Sequence, residues 1–145
     1  VKEMTLEQLN AELRAFEEYY PEDSETRVFT TLNFHLLKEN YPEAVEWVNE
    51  QRAVFNNGTL NQVSWQLYEK CEDQKLLQVA NGWMLSVVEA EPTYAYLDTQ
   101  AALLYKSKDY KKAAEVASLA IRVGKEAGEN VAETEALLKK IKTSK

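Results

Sequence analysis

The sequence predicts an all-α fold of about eight helices paired as antiparallel hairpins, and three observations carry that expectation. Apolar residues recur at helical spacings, and no segment alternates apolar and polar with period two for long enough to make a strand. Start and stop signals cut the 145 residues into stretches separated by about three to six residues, short enough to force antiparallel neighbours. Only four Gly and three Pro interrupt the chain, too few for a turn-rich β fold.

Each element has its own justification. Thr5 and Gln8 have capping-box spacing and open a helix with Leu6, Leu9, Leu13 and Phe16 on its apolar face; Pro21 stops it. Ser24 caps a second helix, striped by Val28, Phe29, Leu32, Leu36 and Leu37. Pro42 suits the first turn of a third, where Ala44, Val48 and Phe55 share a side with Trp47. "NNGT" at 56–59 then supplies a stop and a new cap, Thr59 and Gln62 repeating the capping-box spacing. The fourth helix carries Val63, Leu67, Tyr68 and Cys71. Asp73 opens a fifth with Leu76, Leu77, Ala80, Trp83, Met84, Val87 and Val88, and Pro92 breaks the chain after it. The sixth shows Leu97, Ala101, Leu104 and Tyr105, the seventh Ala113, Ala117, Ala120, Ile121 and Gly124. Asn130 and Glu133 begin a last helix with Leu137, Leu138 and Ile141. Gly124 and Gly128 read as stops at the end of the seventh.

Composition bounds the function. Apolar residues make up 45% of the chain, a globular share, and no apolar run approaches the ~18 residues of a membrane helix. The net charge of −7 is uneven: residues 1–60 hold 12 acids and 5 bases, residues 61–145 hold 12 of each. Such a surface repels phosphates and argues against nucleic acid and anionic membranes as partners. The basic "KKIKTSK" complements the dipole of a last helical turn. Cys71 is the only cysteine, so no internal disulfide, zinc cluster or C-x-x-C pair exists within the chain, and Cys71 reads as a small core residue. The chain opens on Val1 rather than Met, which reads as a mature or excised piece of a longer protein and leaves the compartment open.

Catalytic constellations are missing from the pattern. His35 is the only histidine, and nothing in sequence places a nucleophile or carboxylate relay around it; it reads as structural or surface. The acidic pairs Glu17–Glu18 and Glu22–Asp23 are adjacent in sequence, so a helix points them apart. "NGT" at 57–59 matches a glycosylation sequon but reads as a turn and cap. No cofactor and no metal are expected, and an enzyme of helical toroid or bundle architecture is disfavoured.

The chain carries an internal repeat. "NYPEAVEWV" at 40–48 and "DYKKAAEVA" at 109–117 both place alanine three residues after a tyrosine, and Tyr41 and Tyr110 stand 69 residues apart. "LLQVANGWM" at 76–84 supplies a middle copy, so Ala44, Ala80 and Ala113 are spaced by 36 and 33 residues. Alanine has no chemistry of its own; its use is to let helices cross closely. Leu at Ala113 or Ala117 is expected to overpack that crossing, costing about 1–3 kcal/mol.

A two-helix period near 34 resembles the tetratricopeptide repeat. Residues 61–94 and 95–128 can be laid on that family's pattern without a gap. Leu97, Ala101, Leu104, Ala113, Ala117 and Ala120 fall on its signature places in the second unit; Leu67, Ala80, Met84, Val87 and Pro92 do so in the first. Departures are Ser64 and Leu97 for the leading aromatic, and Tyr68 for the small residue of the first helix. The resemblance implies a right-handed array of hairpins in a single helical domain: an N-terminal helix over 1–24, a degenerate hairpin over 25–60, hairpins over 61–94 and 95–128, and a capping helix over 129–145. It also implies a concave wall on which Trp65, Glu69, Tyr96 and Thr99 form a candidate surface for a protein or peptide partner. The family's clamp for a C-terminal carboxylate is not reproduced, since Trp65, Glu69 and Gln100 occupy its places. Trp47 and Trp83 read as core.

"EPTYAYLDTQAALLYKSKDYKKAAEVASLAI" with "ETEALLKKIK" further resembles the helical region C-terminal to a thioredoxin-like domain in bacterial envelope proteins. That resemblance implies an envelope or periplasmic setting and an upstream redox domain. The chain would then be a non-catalytic accessory module that binds a peptide or protein, or docks the redox domain. The alternative reading is a structural cap or dimerisation element of a helical-repeat scaffold.

Overall fold

A computed structural model describes residues 5–19 and 24–144. Pro21 and the pair Glu22–Asp23 lie outside the described residues, as do the side chains of Leu13, Phe16, Glu17, Glu18 and Ser24. Among the described residues there are eight α-helices and no strand: α1 Leu6–Tyr19, α2 Ser24–Leu37, α3 Tyr41–Glu50, α4 Asn57–Lys70, α5 Gln74–Ala90, α6 Tyr94–Lys106, α7 Tyr110–Glu126 and α8 Ala132–Thr143. They fall into two compact units, Val1–Asn56 and Asn57–Lys145.

Local chemistry sets most helix starts. Thr5 and Gln8 form the reciprocal capping box: the Thr5 N–H donates to Gln8 Oε1 at 2.9 Å and the Gln8 N–H to Thr5 Oγ1 at 3.1 Å. Pro42 sits in the first turn of α3, where its missing N–H costs no helical bond. Asp73 caps α5 by accepting from the Lys75 N–H at 2.9 Å, and Thr93 and Asp109 cap α6 and α7 in the same manner. Thr59 does not begin α4 as its spacing suggests. The helix starts at Asn57, which places the whole "NGT" triplet in its first turn.

Two helix ends repeat one geometry. At the end of α2, Glu39 adopts φ 58°, its N–H donates to Leu36 O, and the Asn40 N–H donates to His35 O. At the end of α6, 69 residues later, Lys108 adopts φ 67° with matching bonds from Lys108 to Tyr105 O and from Asp109 to Leu104 O. This paired closure of the last carbonyls wants a left-handed residue, and glycine fills that place after α7, where Gly128 has φ 75°. Gly124 is therefore not a stop. It lies inside α7, buried, where an added Cβ would stand 2.5 Å from Val131 Cγ1 and 2.8 Å from Tyr94 Cδ1.

In the first unit α2 packs against α1 and α3. Leu32, Phe34, Tyr41, Val45, Val48 and Phe55 are buried, and the Phe29 and Phe55 rings meet edge to face at 5.1 Å. Trp47 is half-buried, its indole N–H donating to Val28 O at 3.0 Å. The stripe expected on α2 needs one correction. Leu37 is 48% exposed, while Thr31, Leu32, Phe34 and His35 are buried, because at 3.6 residues per turn these four share one side of the helix and Leu37 falls on the other.

In the second unit α4 packs on α5, α5 on α6, α6 on α7 and α7 on α8, while α4 and α8 also reach α6. Leu67, Leu77, Ala80, Met84, Val87 and Leu103 are wholly buried, and Trp83 and Cys71 belong to the same interior. Ala113, Ala117 and Ala120 are 0% exposed; Ala113 and Ala117 join Ala101, Ala102, Leu104, Leu137 and Ile141 in one apolar cluster. Small side chains thus stand where α7 must meet α6 and α8 together. Ala44 and Ala80, the counterparts of Ala113 by spacing, are also 0% exposed.

Candidate functional site

Three helices of the second unit wall a groove: α4, α6 and α8. One recess of it, about 360 Å³, is lined by Asn61, Trp65, Tyr94, Asp98, Thr99 and Glu133 among others. A second continues from it past Trp65, Tyr68, Asp98, Glu133 and Lys140. Trp65, Asp98 and Glu133 border both.

The aromatic side of the groove comes from one helical turn of α4. Trp65 and Tyr68 are three residues apart, which puts them on one face, and their rings lie 5.0 Å centre to centre, tilted by 39°. Lys106 holds Tyr68 in place. Its Nζ stands 5.7 Å from the centre of the phenol ring, donates to the Tyr68 carbonyl and pairs with Glu72 at 3.2 Å.

The polar side is a hydrogen-bond chain across α6 and α8. Thr134 is fully buried and donates from Oγ1 to Asp98 Oδ1 at 2.7 Å. A hydroxyl has one proton to give, so the 2.6 Å contact between the Tyr94 and Thr134 hydroxyls must run with Tyr94 donating. The hydrogen-bond chain therefore ends on the Asp98 carboxylate, which has no ion-pair partner among the described residues. Burial raises the Asp98 pKa above its ordinary value, against the stabilising bond from Thr134, and the nearby Glu133 carboxylate raises it further. The field of Asp98 also reaches the tyrosines. Burial raises Tyr68 and Tyr94 first, and Asp98 adds to both.

The four residues expected on the concave wall part company. Trp65 and Thr99 border the same recess, although Thr99 is only 3% exposed and its hydroxyl donates back to Ala95 O at 3.1 Å. Glu69 is exposed and Tyr96 half-buried, and neither borders the groove recesses described above. Asp98, Tyr94 and Thr134 were not singled out by the sequence, and Glu133 only as a helix start. One signal pointed to Asp98: it is the only charged residue from Tyr94 to Tyr105, an isolated carboxylate in an otherwise uncharged stretch. No local pattern announces that α8 brings Thr134 and Glu133 to it.

His35 lies in the first unit, 6% exposed, its Nδ1 without a hydrogen-bond partner and its ring 5.9 Å from that of Phe34. Burial lowers its pKa, with Glu43 opposing. Among the described residues no group of three His, Cys, Asp or Glu side chains could hold a metal ion, and no helix is long and apolar enough to cross a membrane. The chain matches no family model, and no curated protein or solved structure is significantly similar to it.

Proposed function

We propose that this chain is a non-catalytic interaction module whose second unit captures a peptide or protein segment in the groove of α4, α6 and α8. The observation that carries the reading is the pairing of a half-buried aromatic couple, Trp65 and Tyr68, with a carboxylate, Asp98, that has no ion-pair partner among the described residues, on walls made of helices. Aromatic anchors beside oriented polar groups on rigid elements are what peptide recognition uses. In this reading α2–α3, α4–α5 and α6–α7 are three tetratricopeptide-like hairpins. The matching turns at Glu39 and Lys108, and the burial of Ala44, Ala80 and Ala113, support that part of it.

Placement beside a thioredoxin-like domain in the bacterial envelope is the finer part of the proposal. It rests on the likeness of residues 91–121 to the helical region following such domains. The chain's own contribution would be docking or presentation, because its single cysteine is buried.

Selection of a phage-displayed random peptide library on the chain tests the reading, with Trp65→Ala as the counter-selecting variant. Enriched peptides should lose binding to Trp65→Ala while the melting temperature of the variant stays within about 3 °C of the parent, the loss expected of a half-buried side chain. No enrichment, or equal binding by the variant, overturns it. A variant that changes only stability or self-association assigns the groove to a structural cap instead.

A further inference from the structure

We infer that the recess between Trp65 and Asp98 takes the guanidinium group of an arginine side chain on the bound segment; this deepens the interaction reading above and rests on it. Three features converge. The first is charge. Asp98 and Glu133 are the only charged residues bordering the recess, and both are acidic. Among the described residues no lysine or arginine forms an ion pair with either one. Lys140 borders the adjoining recess but forms no ion pair with them, so an incoming cation would meet two carboxylates in a partly desolvated site, where a charge-assisted bond is worth more than on open surface.

The second is the inventory of hydrogen-bonding groups. Asp98 Oδ1 accepts from Thr134, and the rest of its carboxylate has no donor. Asn61 borders the same recess, and its Oδ1 is buried without a hydrogen-bond partner. The Glu133 carboxylate stands at the rim. The site offers unused acceptors on Asp98, Asn61 and Glu133 to a group with five N–H donors and no acceptor; its side-chain donors include the amides of Asn61 and Asn130. The hydroxyl chain fixes this polarity. Tyr94 donates to Thr134 and Thr134 to Asp98, so neither hydroxyl has a proton left to offer a ligand.

The third is shape. The Trp65 indole forms one wall of the recess, and a planar guanidinium stacks on an indole face while its edge bonds a carboxylate. An ammonium would satisfy the charge but not the flat wall, and it would bring fewer donors. Lys106 already sits over the Tyr68 ring, which leaves Trp65, half-buried beside Tyr68, as the aromatic ring for an incoming cation at this recess.

Nuclear magnetic resonance of the full chain reads this directly, because each tryptophan gives a separate indole N–H signal. Trp47 and Trp83 serve as internal controls, the first hydrogen-bonded within its unit and the second buried. The probes are Nα-acetyl-arginine methylamide, its uncharged isostere Nα-acetyl-citrulline methylamide, and Nα-acetyl-lysine methylamide. The arginine probe should move the Trp65 signal in a saturable manner, and the citrulline probe should not. Asp98→Asn, which keeps an acceptor for Thr134, should weaken the arginine probe about tenfold or more without lowering the melting temperature. Equal shifts with citrulline, or undiminished binding by a folded Asp98→Asn, overturn the inference. Equal binding of the lysine probe overturns the guanidinium assignment. Peptides that bind in a Trp65-dependent manner yet contain no arginine also overturn it, and they leave the interaction module standing.

Discussion

The two units share a turn and differ in nearly everything packed around it. Glu39 and Lys108 hold the same left-handed backbone, with the same paired closure of the preceding helix. After that turn the first unit continues into a helix that buries Tyr41, Val45 and Val48. The second continues into one that buries only Ala113, Ala117, Ala120 and Gly124. The difference follows from neighbours. Within its unit α3 packs on α2, where large side chains fill the contact; α7 packs on both α6 and α8, and only small residues let its backbone approach both. Charge divides the same way: all of the net −7 lies in residues 1–56, and residues 57–145 balance. Backbone geometry is thus reusable between units, whereas side-chain size records how many partners a helix must satisfy.

The sharpest way to break this comparison is to enlarge the small stripe. Ala117→Leu should cost the second unit about 3 kcal/mol, since a wholly buried methyl gives way to a branched side chain between two helices. Chemical denaturation followed by the near-ultraviolet signal should show it, and a neutral effect would mean that α7 is not held from two sides. Gly124→Ala comes next, at about 1–2 kcal/mol after allowing for alanine's better helix propensity, because its Cβ would meet Val131 and Tyr94. The melting temperature measures it, and Gly124→Ala combined with Val131→Ala should recover part of the loss.

The shared turn gives the opposite sign. Lys108→Gly and Glu39→Gly each remove a side chain from a left-handed position and should stabilise their own unit by about 1 kcal/mol. Equal gains in denaturant midpoint would sharpen the equivalence of the two turns, and a loss at either would break it.

The smallest effects are in pH dependence, and the units should respond with opposite signs. His35 has a lowered pKa, so the unfolded chain binds the proton more tightly and the first unit loses stability as pH falls below about 6.5. Burial is the cause and Glu43 partly offsets it; His35→Leu should flatten that slope. Asp98 has a raised pKa, so the folded second unit binds the proton more tightly. Its stability falls as pH rises above the ordinary carboxylate value of 3.8, through the window that burial and Glu133 extend upward. Thr134, Tyr94, Tyr68 and Lys140 are the other groups facing that carboxylate. Asp98→Asn should flatten this second slope and leave the neutral-pH melting temperature equal or higher. Hydrogen exchange resolved by unit separates the two responses.

Much of the fold was legible because its determinants are local. The Thr5–Gln8 box, the Asp73 cap and the buried alanines can each be read within a few residues. Thr59 misled because capping-box spacing recurs inside a first turn as readily as before it. Leu37 misled because an apolar residue at a helix end need not follow the stripe. Gly124 reads as a stop in the sequence, because its close approach to Tyr94 and Val131 depends on the path of the chain after α7, which no local pattern encodes. The same holds for the groove. Trp65 was visible as an aromatic on the expected face, but Asp98 gains its character from Thr134 and Glu133, 36 and 35 residues away.

Cys71 lies just past the end of α4, 3% exposed, with its N–H bonded to Leu67 O. A sulfur so enclosed meets a water-borne reagent only when a seam in the packing around it opens. The alkylation rate of the native protein is therefore a clock for that opening, in which a slow rate reports rare excursions and a fast one reports breathing on the timescale of the reagent. Beside a domain that trades disulfides, the same enclosure would act as kinetic insulation. The chain's only thiol would stay out of the exchange for as long as the seam stayed shut.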